Sequence, residues 1–137
     1  MRKRLILYID GGARGNPGPA GIGVVILDES GKSIKEFGRY IGEATNNIAE
    51  YNALLYGLEE ALILRADEIV INMDSELVAK QLSGDYRVKD SNIKPIFERA
   101  VNILKSFKKF EIKHVKRELN KEADRLVNKA INLAGLI

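Results

Sequence analysis

Leu5-Ile6-Leu7-Tyr8-Ile9 is an unbroken apolar run, the pattern of a strand covered on both faces. It ends at Asp10, where Gly11-Gly12-Ala13-Arg14-Gly15-Asn16-Pro17-Gly18-Pro19 reads as a turn and loop into a second apolar strand, Gly21 to Leu27. Glu29-Ser30-Gly31-Lys32 has the composition of a hairpin connection. It leads to a third strand, about Ser33 to Ile41, less apolar and nearer a sheet edge. The period then changes. Ile48, Tyr51, Leu55, Leu58 and Leu62 recur at three- and four-residue steps, which predicts an amphipathic helix over Asn47 to Leu64. A strand over Glu68 to Met73 follows, then a short helix from Ser75 to Leu82 and another from about Ser91 to Phe107, with Pro95 in its first turn. Phe110, Ile112 and His114 alternate with Glu111, Lys113 and Val115, which predicts a one-sided strand from Phe110 to Lys116. Asn120 is placed to cap a last helix from Lys121 to Ala134.

The order βββαβααβα implies an α/β fold. An antiparallel meander of three strands would leave one side of the first strand free. A right-handed crossover through the long helix would bring the fourth strand there in parallel, and the next two helices permit a second parallel addition. The expectation is a five-stranded mixed sheet flanked by helices.

A chain of 137 residues, 45% hydrophobic and 30% charged, is expected to form one globular domain, residues 1–137. No apolar run approaches the roughly 18 residues that span a bilayer. Met1-Arg2-Lys3-Arg4 starts like a signal peptide, but Asp10 cuts the apolar segment short, so a cytoplasmic protein is expected. The absence of cysteine excludes disulfides, thiolate metal sites and a cysteine nucleophile, and a single histidine makes an imidazole-based zinc site or a serine triad a poor fit. Chemistry must rest on carboxylates, hydroxyls and cations. The net charge of +3, with Lys105, Lys108, Lys109, Lys113, Lys116 and Arg117 clustered late, is compatible with a polyanionic partner and equally with a solvated surface.

Four acids stand out. Asp10 and Asp74 close the first and fourth strands, and if those strands are parallel neighbours both carboxylates leave the same end of the sheet, where open α/β sheets bind ligands. Glu50 lies in the first turn of the long helix on a face of mostly small residues, Ala53, Leu54, Gly57 and Ala61. Asp124 lies in the first turn of the last helix beside Val127 and Ile131. Each also has a purely structural explanation. Asp10 before two glycines suits a turn, Asp74 an N-cap, Asn47 and Glu50 a capping box, and Asp124 a helix dipole. Taken together, a buried cluster of like charges would need a counter-ion, and hard divalent cations satisfy carboxylates best.

Tyr8-Ile9-Asp10-Gly11-Gly12 with Gly15-Asn16-Pro17-Gly18-Pro19-Ala20-Gly21, Thr45-Asn46-Asn47-Ile48-Ala49-Glu50, Met73-Asp74-Ser75 and Arg117-Glu118-Leu119-Asn120-Lys121-Glu122-Ala123-Asp124 together resemble type 1 ribonuclease H over essentially the whole chain. The resemblance implies a ribonuclease H-like fold and an endonuclease that cuts the RNA strand of RNA/DNA hybrids, leaving 3′-hydroxyl and 5′-phosphate ends. It implies two Mg²⁺ ions, replaceable by Mn²⁺, held by Asp10, Glu50, Asp74 and Asp124, with Asp10 bridging. Gly11, Gly12, Asn16 and Glu76 match positions along the RNA strand, and Thr45 and Asn46 match a pocket for a DNA-strand phosphate. Arg14 and Arg117 are further candidate substrate contacts. No membrane and no obligate protein partner is implied.

Two features depart from the family pattern. The histidine that many members carry in a loop before the last acid is absent, His114 lying in the preceding strand, so Arg117 or Glu118 is the candidate to take its place. The basic handle is also missing, since Ser83 to Lys89 is too brief for one. A ribonuclease of broader specificity for double-stranded RNA or junctions, and a non-catalytic nucleic-acid-binding module, are the alternatives.

Overall fold

The computed structural model describes residues 3–136; Met1, Arg2 and Ile137 lie outside the described residues, and with them half of the basic N-terminal run. In chain order the elements are β1 (Arg4–Ala13), β2 (Gly18–Leu27), β3 (Ser33–Ala44), α1 (Asn46–Ile63), β4 (Glu68–Met73), α2 (Glu76–Leu82), α3 (Lys94–Leu104), β5 (Lys109–His114) and α4 (Lys121–Ala134), with a 3₁₀ turn at Arg117–Leu119. The sheet order is β3-β2-β1-β4-β5. β1 and β3 flank β2 in antiparallel pairing, while β4 lies parallel to β1 and β5 parallel to β4. This is the mixed five-stranded sheet that the element order requires.

One face of the sheet carries Leu5, Leu7, Ile9, Ile22, Val24, Ile26, Ile69 and Ile71, all buried, with α1 packed over β1 and β2 and the core continuing to α2 and α3. Each such side chain contributes roughly 1.5–3 kcal/mol by leaving water. The other face is covered by α4, which packs across β2, β3 and β1. Gly23 makes that approach possible, because a Cβ there would collide with the Ala123 carbonyl. β2 is therefore the strand covered on both faces, whereas β1 alternates between buried and half-buried positions.

Several boundaries differ from the sequence reading. β1 does not stop at Asp10. It runs extended through Gly11 and Gly12 to Ala13, paired with β2 from Gly23 back to Ala20, so the glycines there serve the strand and only residues 14–17 form the turn. α3 is shorter than its hydrophobic pattern, starting at Lys94 with Pro95 in its first turn. β5 ends at His114, and Phe110 is 43% exposed because β5 is an edge strand.

Candidate active site

The β1–β4 ladder pairs Leu5 with Ile69 and Tyr8 with Asn72; two residues further on stand Asp10, within β1, and Asp74, just past the end of β4. Glu50 on α1 and Asp124 on α4 complete a cleft of about 420 Å³ whose walls hold all four carboxylates together with Gly11, Gly12, Arg14, Asn46 and Arg117. All four acids are half-buried.

The structural explanations fail for Asp10, Glu50 and Asp74. Thr45 caps α1, its Oγ1 accepting the Ile48 amide at 3.2 Å, so Glu50 sits beyond the first turn and belongs to no capping box. Ser75 caps α2, its Oγ accepting the Val78 amide at 3.2 Å, which leaves Asp74 free of that role. Asp10 lies within a strand and not in a turn. Asp124 does lie in the first turn of α4, as expected.

Burial pushes the Asp10 carboxyl up to about 8, helped by repulsion from Asp74 and Asp124, a hydrogen bond shared with Asp124, and repulsion from Glu50. Burial likewise raises Glu50 to about 7. A hydrogen bond from the Ser75 hydroxyl opposes the rise and the Asp74 charge adds to it. The cluster thus holds protons at neutral pH that a cation could displace. Arg117 Nη2 stands 3.9 Å from Asp124 Oδ1, but its side chain is 80% exposed and reaches in from the rim.

The all-oxygen donor set fits a hard divalent cation. Among the described residues no three carboxylates close on a single point tightly enough to enclose an ion alone.

The remaining candidates divide. Asn16 Oδ1 accepts the Asn46 amide at 3.1 Å and Asn46 Oδ1 accepts the Ala13 amide at 2.8 Å, so these asparagines clamp the β1–β2 turn onto the start of α1. Arg14 Nη2 lies 3.3 Å from Asn128 Oδ1, which braces the turn against α4. Asn16, Thr45 and Glu76 are not in the cleft wall; Glu76 is exposed and 3.9 Å from Lys80 Nζ. Glu118 belongs to a separate apolar recess with Tyr8, Val25 and Leu27, so of the two candidates for the absent histidine only Arg117 reaches the acids. His114 is exposed on the sheet edge. Among the late lysines, Lys108 and Lys113 lie 4.0 Å from Asp67 and Glu111. Sequence reasoning missed Ser75 as the donor to Glu50. It also missed Asn128, one helical turn beyond Asp124, whose Nδ2 donates to the Asp124 carbonyl at 3.1 Å.

A family profile described as "Reverse transcriptase-like" matches residues 8–130. The RNase H1 structure from the halophilic archaeon Halobacterium salinarum superposes with a TM-score of 0.92 at 43% identity, covering 94% of this chain and 98% of that one. The chain belongs to the type 1 ribonuclease H family. Within it, LC11-RNase H1, isolated from compost by a metagenomic approach and solved in complex with an RNA/DNA hybrid, aligns at 47% identity over 95% of this chain and 98% of its own, with a TM-score of 0.89. Ribonuclease HI of Halobacterium salinarum is 43% identical over 94% of this chain and 65% of that protein. The bifunctional protein Rv2228c of Mycobacterium tuberculosis is 39% identical over 96% of this chain and 36% of its own length. This ribonuclease H chain thus spans about two thirds of one curated relative and about a third of the other.

Proposed function

We propose that the protein is a divalent-metal-dependent endonuclease that hydrolyses the RNA strand of RNA/DNA hybrids to 3′-hydroxyl and 5′-phosphate ends. The observation that carries this reading is the meeting of four carboxylates, from β1, α1, the end of β4 and α4, in one open cleft. A relative at 47% identity bound to such a hybrid supports the substrate. A non-catalytic binding module is disfavoured, because it would have no use for four mutually repelling acids.

Asp10, Glu50, Asp74 and Asp124 would hold two Mg²⁺ ions, or Mn²⁺ in their place, with Asp10 central and Glu50 oriented by Ser75. When bound, such ions neutralise charge developing on the phosphate and activate the attacking water. The chain's own contribution is orientation. Gly12 leaves the cleft wall bare beside Asp10, so a sugar–phosphate backbone can come close and its 2′-hydroxyls can be sensed. Arg14 and Arg117 place cations on the rim for phosphates, and Arg117 beside Asp124 takes over part of the work of the missing histidine. Thr45 and Asn46 meet a DNA-strand phosphate at the start of α1, while Asn16 and, along α2, Glu76 extend the contact with RNA.

No described helix is long and apolar enough to cross a membrane. A cytoplasmic enzyme acting as one catalytic domain, with no obligate protein partner, completes the reading. Labelled RNA/DNA, RNA/RNA and DNA/DNA duplexes with Mg²⁺ or Mn²⁺ test it. The RNA of the hybrid is cut, EDTA and Asp10→Asn abolish cutting, and Arg117→Ala slows it. Comparable cutting of DNA/DNA would overturn the assignment.

A further inference from the structure

Asn120 stands at the N-cap of α4, yet its side chain makes no capping hydrogen bond. It is 1% exposed, and its Nδ2 donates to the Ile9 carbonyl at 2.8 Å. Its own carbonyl accepts the Asp124 amide at 3.2 Å. Ile9 precedes Asp10. One residue therefore joins the strand beside the central acid to the helical turn that carries the acid most distant from it in sequence.

Stability does not explain the choice. The Asn120 Oδ1 is buried without a partner, an unfavourable arrangement. A serine, threonine or aspartate used as an ordinary cap would satisfy an α4 amide without leaving a buried oxygen unmet. What asparagine supplies, and those caps do not, is a side-chain donor that reaches the β1 backbone.

We propose that Asn120 is a positioning residue whose hydrogen bond to Ile9 sets the separation and orientation of Asp10 and Asp124, and through them the affinity of the cluster for divalent cations. The inference rests on the metal-dependent reading above and adds a residue that acts without touching metal or substrate. Partners one step removed from a metal commonly change its affinity 10–100-fold when lost.

The test compares native protein with Asn120→Ala, Asn120→Ser and Leu126→Ala. The serine variant can cap α4 while lacking the reach to Ile9, so it keeps the fold and removes the link. Leu126 is buried on the same helix against Gly38 and outside the cleft, so its truncation reports what instability alone does. Mn²⁺ binding is followed by calorimetry and hybrid cleavage by steady-state kinetics below the melting temperature. Both Asn120 variants should bind Mn²⁺ about tenfold or more weakly and lose about tenfold or more in kcat, with hybrid KM changed by less than about threefold. Leu126→Ala should lose thermal stability but keep Mn²⁺ affinity within about twofold. Native-like affinity and kcat in Asn120→Ser, or an equal loss in Leu126→Ala, would overturn the inference alone. Native protein that neither binds Mn²⁺ nor cuts hybrid would instead bring down the functional reading, and the inference with it.

Discussion

The carbonyl of Ala49 occupies the space that a Cβ on Gly11 would need. Gly11 follows Asp10 and Ala49 precedes Glu50, so the contact of α1 with bare strand backbone delivers two acids to one cleft. Gly11→Ala must push α1 outward or twist β1. The expected outcome is a stability loss of about 2–4 kcal/mol in urea denaturation. Hybrid cleavage should fall more than about tenfold even where the variant remains folded. A variant with native stability and turnover would show that the close packing has no bearing on the site.

Ser75 performs two tasks at once, starting α2 and donating to the Glu50 carboxylate. Ser75→Ala should lose about 1 kcal/mol from the missing cap. It should also let the Glu50 carboxyl, already raised to about 7, move higher, because the hydrogen bond that opposes burial is gone. Carboxyl-resolved NMR titration of the metal-free protein measures both the shift and its return in Ser75→Thr. A Glu50 titration unmoved by Ser75→Ala would contradict the assigned hydrogen bond.

The raised carboxyls also fix the sign of a pH effect on stability. Asp10 goes from 3.8 to about 8 on folding and Glu50 from 4.5 to about 7. The unfolded chain releases these protons more readily, so the stability they allow is fully present below about pH 4 and is lost as pH rises through their folded values. Metal-free Asp10→Asn should therefore be more stable than native protein at pH 8, by roughly 1–3 kcal/mol. The gap should close towards pH 4, and Mg²⁺ at pH 8 should stabilise the native protein more than the variant. An equal or lower stability of metal-free Asp10→Asn at pH 8 would show that burial and the neighbouring acids do not raise the Asp10 carboxyl as described.

His114 is the chain's one imidazole and lies exposed on the edge strand. Because the site rests on carboxylates, His114→Ala should leave hybrid turnover within about twofold and stability within about 0.5 kcal/mol. A loss of tenfold or more in turnover would move proton transfer onto that side chain.

The period-2 and period-3.6 patterns are global and redundant, which is why element order, sheet topology and the convergence of the four acids on one cleft could be read from the chain. Features that depend on what lies across from a residue could not. Gly11 looks like part of a turn until α1 is laid against it, because local glycine chemistry says nothing about an approaching helix. Asn120 looks like a cap, and only the fold brings the Ile9 carbonyl, 111 residues away, within reach of its Nδ2. Glu118 and Arg117 are adjacent in sequence yet line different recesses, since the 3₁₀ turn at Arg117–Leu119 directs neighbouring side chains apart.

The central claim is that these four acids share their cleft in order to hold cations, and calorimetric titration of Mn²⁺ into the metal-free protein at pH 7, in buffers of different ionisation enthalpy, tests it most directly. Because Asp10 and Glu50 retain protons near neutrality, binding should release on the order of one proton. It should weaken severely in Asp10→Asn. Failure of the native protein to bind Mn²⁺, or an Asp10→Asn variant that binds it as tightly with the same proton release, would contradict the account.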